Sequence, residues 1–122
     1  MSHTILIADD SVFIRKALRN LFKREEDFDV CGEAKNGKEA VEKAQALHPD
    51  LILLDLSMSV MNGLDATREL KRVMPEVPII MYSAYSESST EKEARSAGVS
   101  ALVSKFEHTS VLLGKMRSTL EM

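Results

Sequence analysis

Four short runs of the chain are apolar without interruption: Ile5–Ala8, Leu51–Leu54, Ile79–Tyr82 and Ala101–Val103. Unbroken rather than alternating apolar runs of this length predict strands covered on both faces. A fifth run, Phe28–Ala34, alternates: Phe28 and Val30 flank Asp29, and Glu33 follows. One of its faces is wet, which predicts an edge strand.

Between these runs the period changes to that of a helix. Ile14, Ala17, Leu18 and Leu21 form one stripe, with Ser11 placed to cap it. Ala40, Val41, Ala44 and Leu47 form a second, opened by Asn36 with Glu39 three residues on, the spacing of a capping box. Ala66, Leu70 and Val73 form a third that stops before Pro75. Residues 88–97 carry only Ala94 and Ala97 as apolar positions, and Gly98 offers a C-terminal stop. Val111, Leu112, Met116 and Leu120 form the fifth. Strand and helix thus alternate five times. That alternation predicts an α/β fold: a five-stranded parallel sheet, doubly wound, with helices on both faces in a three-layer sandwich.

Composition narrows the class. The 122 residues predict a single domain over 1–122, with 44% hydrophobic and 29% charged positions and a net charge of -3. That balance speaks against a dedicated nucleic-acid binder. No apolar run reaches the ~20 residues of a membrane span, and Ser2-His3-Thr4 is no signal peptide, so the cytosol is expected. The lone Cys31 excludes an internal disulfide and reads as a small buried filler.

The chemistry gathers where the strands end. The first ends at Asp9-Asp10, the third at Asp55, the fourth at Ser83 and the fifth at Lys105. In a parallel sheet these ends share one edge, and the crevice outside that edge is where such folds bind ligands. Any one of these residues alone reads as a turn or cap residue; four strand ends carrying them together read as a site. Three adjacent carboxylates repel one another, and a hard divalent cation such as Mg²⁺ relieves the conflict. Asp55 is placed to attack phosphorus as a carboxylate nucleophile. Asp10 and Asp55 are expected to hold Mg²⁺ directly and Asp9 through water or by supporting Asp10, with the Ser57 carbonyl completing the protein ligands. Ser83 and Lys105 would each meet a phosphoryl oxygen.

The segments "ILIADDS" (5–11), "LILLDLSM" (51–58) with "MNG" (61–63), "IIMYSA" (79–84) and "VSK" (103–105) carry a resemblance that spans nearly the whole chain. It resembles the response-regulator receiver domains of two-component signalling, the chemotaxis receivers among them. The resemblance implies the flavodoxin-like (βα)5 fold with strand order 2-1-3-4-5. It implies phosphorelay signalling: a histidine kinase or histidine phosphotransfer protein gives its phosphoryl group to Asp55, and the face of helix 4, strand 5 and helix 5 rearranges in response. That face could meet an output domain or a second copy. The chain would catalyse only its own phosphotransfer and dephosphorylation. Ser57 and Tyr85 would flank the phosphoryl group.

Three positions depart from the family pattern. Ser59 stands where Pro is usual, Leu102 where an aromatic switch residue is usual, and Phe106 where Pro follows the lysine. A cis Lys105–Phe106 bond is expected on the ground that placing Lys105 requires it. Two other readings use the same residues. A Mg²⁺-dependent phosphatase or hydrolase would need a further acid or base, yet His3, His48 and His108 fall at no strand end. A degenerate receiver would act only by binding a protein. The basic residues Arg15, Lys16, Arg19, Lys23 and Arg24 on the first helix are a solvated face or a kinase-docking surface. The stretch "MNGLDATREL" is similar to receivers joined to helix-turn-helix domains.

Overall fold

In the computed structural model, which describes residues 2–84 and 88–121, strands and helices alternate as the pattern requires. They are β1 (His3–Ala8), α1 (Val12–Lys23), β2 (Phe28–Ala34), α2 (Gly37–Leu47), β3 (Leu51–Leu54), α3 (Gly63–Val73), β4 (Ile79–Ser83), α4 (Ser88–Ala97), β5 (Ala101–Ser104) and α5 (Thr109–Thr119). The five strands are all parallel, in the order β2-β1-β3-β4-β5. The partly polar β2 therefore lies at an edge.

Strand alternation divides the core in two. Leu6, Ala8, Ile52, Leu54, Ile79 and Met81 face Ala40 and Ala44 of α2, Ala66 and Leu70 of α3, and Ala94 of α4. Ile5, Ile7, Leu51, Leu53, Ile80 and Val103 face Leu18 and Phe22 of α1 and Leu112 and Met116 of α5. Each central strand is thus apolar on both sides because each side meets a helix layer. Leu47, expected on the α2 stripe, ends that helix and remains 43% exposed.

The helices begin where a side chain can accept an orphan amide. Ser11 Oγ accepts from Ile14 N, Asn36 Oδ1 from Glu39 N, and Asn62 Oδ1 from Asp65 N. Each such cap stabilises its helix by about 1 kcal/mol. Glu39 reaches back to the Lys35 amide at 3.3 Å, one residue before the cap. Gly98 has φ +116 and closes α4 by donating to Ala94 O and Arg95 O.

Two expectations are corrected. Cys31 is the extra residue of a β-bulge, because Ile5 pairs with Val30 and Leu6 with Gly32. It is half-buried rather than buried, and its Sγ lies 3.5 Å from Ile5 O. The Lys105–Phe106 bond is trans, since no described peptide bond is cis. A cis bond before a residue other than proline costs about 2.5–4 kcal/mol, and Lys105 reaches its partners without it.

Candidate functional site

The carboxyl ends of β1, β3, β4 and β5 bring the sequence-predicted residues to one edge. Register fixes them. Asp9 N donates to Ala34 O at 3.0 Å and Asp55 N to Ala8 O at 2.8 Å, so each aspartate continues its strand by one backbone bond. Lys105 N donates to Ser83 O at 2.7 Å and joins the ends of β4 and β5 in the same way. The apolar run of β3 ends on Asp55 because the sheet ends there and the next atoms belong to the crevice.

Asp9 and Asp55 are 2% and 6% exposed, and Ser83 is fully buried. Asp10 is exposed. Carboxylate oxygens of Asp9, Asp10 and Asp55 all lie within 4.8 Å of one another. Lys105 crosses to them from β5: its Nζ donates to Asp9 Oδ2 at 2.8 Å and lies 3.1 Å from Asp55 Oδ1. The other oxygen of Asp9 accepts the Ser11 amide at 2.9 Å, and its carbonyl accepts from an Arg15 guanidinium nitrogen at 2.7 Å. Asp9 is thus held at three points, whereas Asp10 is left facing the opening. Ser57 is exposed and lines, with Asp10, Met58 and Asn62, an open cleft of about 470 Å³.

The charges follow from this packing. Burial, and then the neighbouring Asp9, raise the Asp55 carboxyl above the usual range, and Asp10 adds to the rise; Lys105 offsets part of it. Burial pulls the Lys105 ammonium down, but its hydrogen bonds and charge attraction to Asp9 and Asp55 prevail, so it lies above its ordinary value. Burial raises the phenol of Tyr82, whose ring centroid is 5.9 Å from Lys105 Nζ. One ammonium against three carboxylates leaves an excess of negative charge. An all-oxygen cluster of this kind, partly open to solvent, fits a hard cation that keeps several waters.

The loop after Asp55 is held by close backbone contact. Gly63 N donates to Leu56 O at 2.8 Å, and a Cβ on Gly63 would stand 2.2 Å from Asp55 O. Gly37 N donates to Met61 O at 3.0 Å, and a Cβ there would stand 2.2 Å from the same oxygen. Between these anchors Met61 N donates to Ser59 O at 2.7 Å across Val60, whose φ is +67. That is a γ-turn of the rare, strained hand, at the place where the family pattern has Pro instead of Ser59. Val60 is 77% exposed.

Some functional geometry escaped the sequence. Arg15 and Arg19, grouped there with the other bases of α1, both bind Glu33 of β2, at 3.1 and 2.7 Å. Helical spacing with an acidic residue on the neighbouring strand was the available signal. Leu102 is half-buried and packs against the α2–α4 side of the core. Tyr85 lies outside the described residues.

Comparison with known proteins agrees with this geometry. Residues 5–117 match the family model of the response regulator receiver domain. The chain is 36% identical over 115 residues to the response regulator protein VraR of Staphylococcus saprophyticus, covering 94% of this chain and 55% of that protein. It thus spans little more than half the length of that relative. It is 38% identical over 105 residues to the chemotaxis protein CheY of Thermotoga maritima, covering 86% of this chain and 87% of that one. The crystal structure of the response regulator domain of Thermotoga maritima CheB superposes with a TM-score of 0.93 at 31% identity, over 100% of this chain and 98% of that domain. The chain belongs to the response-regulator receiver family of phosphorelay signal transduction.

Proposed function

We propose that Asp55 accepts a phosphoryl group from the phosphohistidine of a histidine kinase or histidine phosphotransfer protein. The observation that carries this reading is the Lys105 ammonium set between Asp9 and Asp55, beside a third carboxylate. An Asp55 oxygen attacks phosphorus, the N–P bond breaks, and the imidazole leaves with a proton. The product is an aspartyl phosphate. Asp9, Asp10 and Asp55, with the Ser57 carbonyl, would hold Mg²⁺. When bound, the ion neutralises charge on the phosphoryl oxygens.

Lys105 and Ser83 take the remaining oxygens. Phosphorylation replaces a charge of -1 at Asp55 by about -2, so Lys105 shifts its contact from the carboxylates to the phosphoryl group. That movement is transmitted through β5 to the α4–β5–α5 face, where Leu102 stands in place of an aromatic residue. A downstream domain or a second copy reads that face. The reading places this chain in the cytoplasm; among its described residues no helix is long and apolar enough to cross a membrane.

The test is to incubate the chain with Mg²⁺ and phosphoramidate and weigh it intact. A gain of one phosphate that Asp55→Asn abolishes supports the reading. A gain that persists in Asp55→Asn, or free phosphate released at enzyme-like turnover, overturns it.

A further inference from the structure

Arg15 and Arg19 stand one turn apart on α1 and share a carboxylate of β2, yet only one of them reaches the site. Arg19 Nε binds Glu33 Oε2 at 2.7 Å; its side chain is 46% exposed and bonds no other described residue. Arg15 is only 16% exposed and bridges two elements. Its Nε donates to Glu33 Oε1 at 3.1 Å, and its Nη1 donates to the backbone carbonyl of Asp9 at 2.7 Å. The end of β2 that carries Glu33 is itself held, because Lys43 Nζ donates to the Glu33 carbonyl.

The carbonyl that Arg15 grips belongs to the peptide joining Asp9 to Asp10. A peptide unit is planar, so fixing that oxygen fixes the plane from which Asp10 departs. Asp10 depends on this. Its side chain is exposed and forms no hydrogen bond or ion pair with any described residue. Even so, a carboxylate oxygen of Asp10 lies within 4.8 Å of those of Asp9 and Asp55. The backbone alone aims it there. Two contacts set that backbone: Ser11 N on Asp9 Oδ1, which is local to the turn, and Arg15, which ties the turn to β2. A guanidinium suits the second task, since its planar fork makes both bonds at once.

We infer that Arg15 is a positioning residue for the cation site. Braced by Glu33, it holds the Asp9–Asp10 peptide so that the Asp10 carboxylate stays beside the other two. The inference rests on the reading of these carboxylates as a Mg²⁺ site. Charge and position make opposite demands here, which separates them. Arg15 and Arg19 together outweigh Glu33 by one positive charge, so Coulomb repulsion alone would make removal of Arg15 strengthen cation binding. Loss of the brace should weaken it.

Mg²⁺ is titrated into the isotopically labelled chain, with the amides of Asp10 and Ser11 as reporters. Arg15→Met keeps most of the stem and removes both bonds; its Kd for Mg²⁺ should rise about tenfold, the low end for residues that orient the ligands of a metal. Arg15→Lys keeps the charge and one donor and should fall between. Arg19→Met removes an equal charge and a bond to Glu33 without touching Asp9, and should not weaken binding. In the phosphoramidate reaction the Mg²⁺ concentration for half-maximal rate should follow Kd, and the rate at saturating Mg²⁺ should stay near that of the parent. Urea unfolding, with unmoved amides in α3 and β4, verifies that the variants fold. Parental or tighter binding in Arg15→Met, or an equal loss in Arg19→Met, overturns the inference. So does a lower saturated rate with unchanged half-saturation. Mg²⁺ binding by a parent chain that takes up no phosphate defeats only the assignment of Asp55, since the titration still decides Arg15; a parent that binds no Mg²⁺ defeats both.

Discussion

Replacing Val60 by Asn tests the strain in the loop that follows Asp55. A non-glycine L-residue at positive φ bears a cost of roughly 1–2 kcal/mol, and Asn tolerates positive φ through its short polar side chain. Little packing is lost in exchange. Complete burial of a Val is worth about 1.5–3 kcal/mol, and Val60 is 77% exposed, so the contacts removed amount to roughly half a kcal/mol. The balance favours the variant by about 1 kcal/mol. With an unfolding entropy of about 2.1 cal/mol/K per residue, the 122-residue chain should melt roughly 4 °C higher. Thermal unfolding followed by circular dichroism, together with urea titration, measures the shift. Val60→Gly should gain less, because glycine adds unfolded-state entropy worth about 0.5–1 kcal/mol. A Val60→Asn variant that melts at or below the parent temperature would refute the assignment of strain.

Gly63→Ala should lose about 1–3 kcal/mol by overpacking and should also slow phosphorylation from phosphoramidate, because the new Cβ displaces the Asp55 carbonyl; unchanged stability in urea would contradict this. The pH dependence of Asp55 has a definite sign. Its folded pKa is raised, so the folded state holds the proton at pH values where the unfolded chain has released it. Its contribution to stability therefore falls as pH rises from the ordinary carboxylate value through the raised one. The stability advantage of Asp55→Asn over the parent should grow between acid and neutral pH, and a constant difference would count against it. Lys105→Met leaves Asp9 and Asp55 without their shared ammonium and should lower stability by about 1–3 kcal/mol, below the range for a fully buried pair because Lys105 keeps some solvent. Mg²⁺ should raise the melting temperature of that variant more than that of the parent, with reversal by chelation; an equal shift in both would argue that Lys105 and the ion do not share the carboxylates.

The layered fold was legible because its cause is local. Ile5–Ala8 and Leu51–Leu54 are apolar on both faces, and Asp29 marked β2 as an edge. Strand order is another matter: no periodicity encodes which strands adjoin, and 2-1-3-4-5 came from family resemblance. The site was legible in its chemistry, since Asp9, Asp10, Asp55 and Lys105 stand at strand ends and the structure brings their charged groups together. Its detail was not. The reach of Lys105 depends on the β5–α5 backbone, and expecting a cis bond there underestimated how far a four-carbon stem extends. Nothing in the sequence marks Val60, because its positive φ belongs to a loop pinned at one end by Gly37, which is remote in sequence. Cys31 read as filler because a bulge in β2 depends on its pairing with β1.

The contact between Lys105 and Asp9 joins residues 96 positions apart. Between them the chain must complete four further strands and insert β3 and β4 between β1 and β5 in the right register. No fragment ending before β5 can assemble the constellation, and loop closure over such a span comes late in the ordering of a chain. Competence to take up phosphate is therefore also a signature of finished folding: a molecule still lacking its last strand has no way to answer the signal.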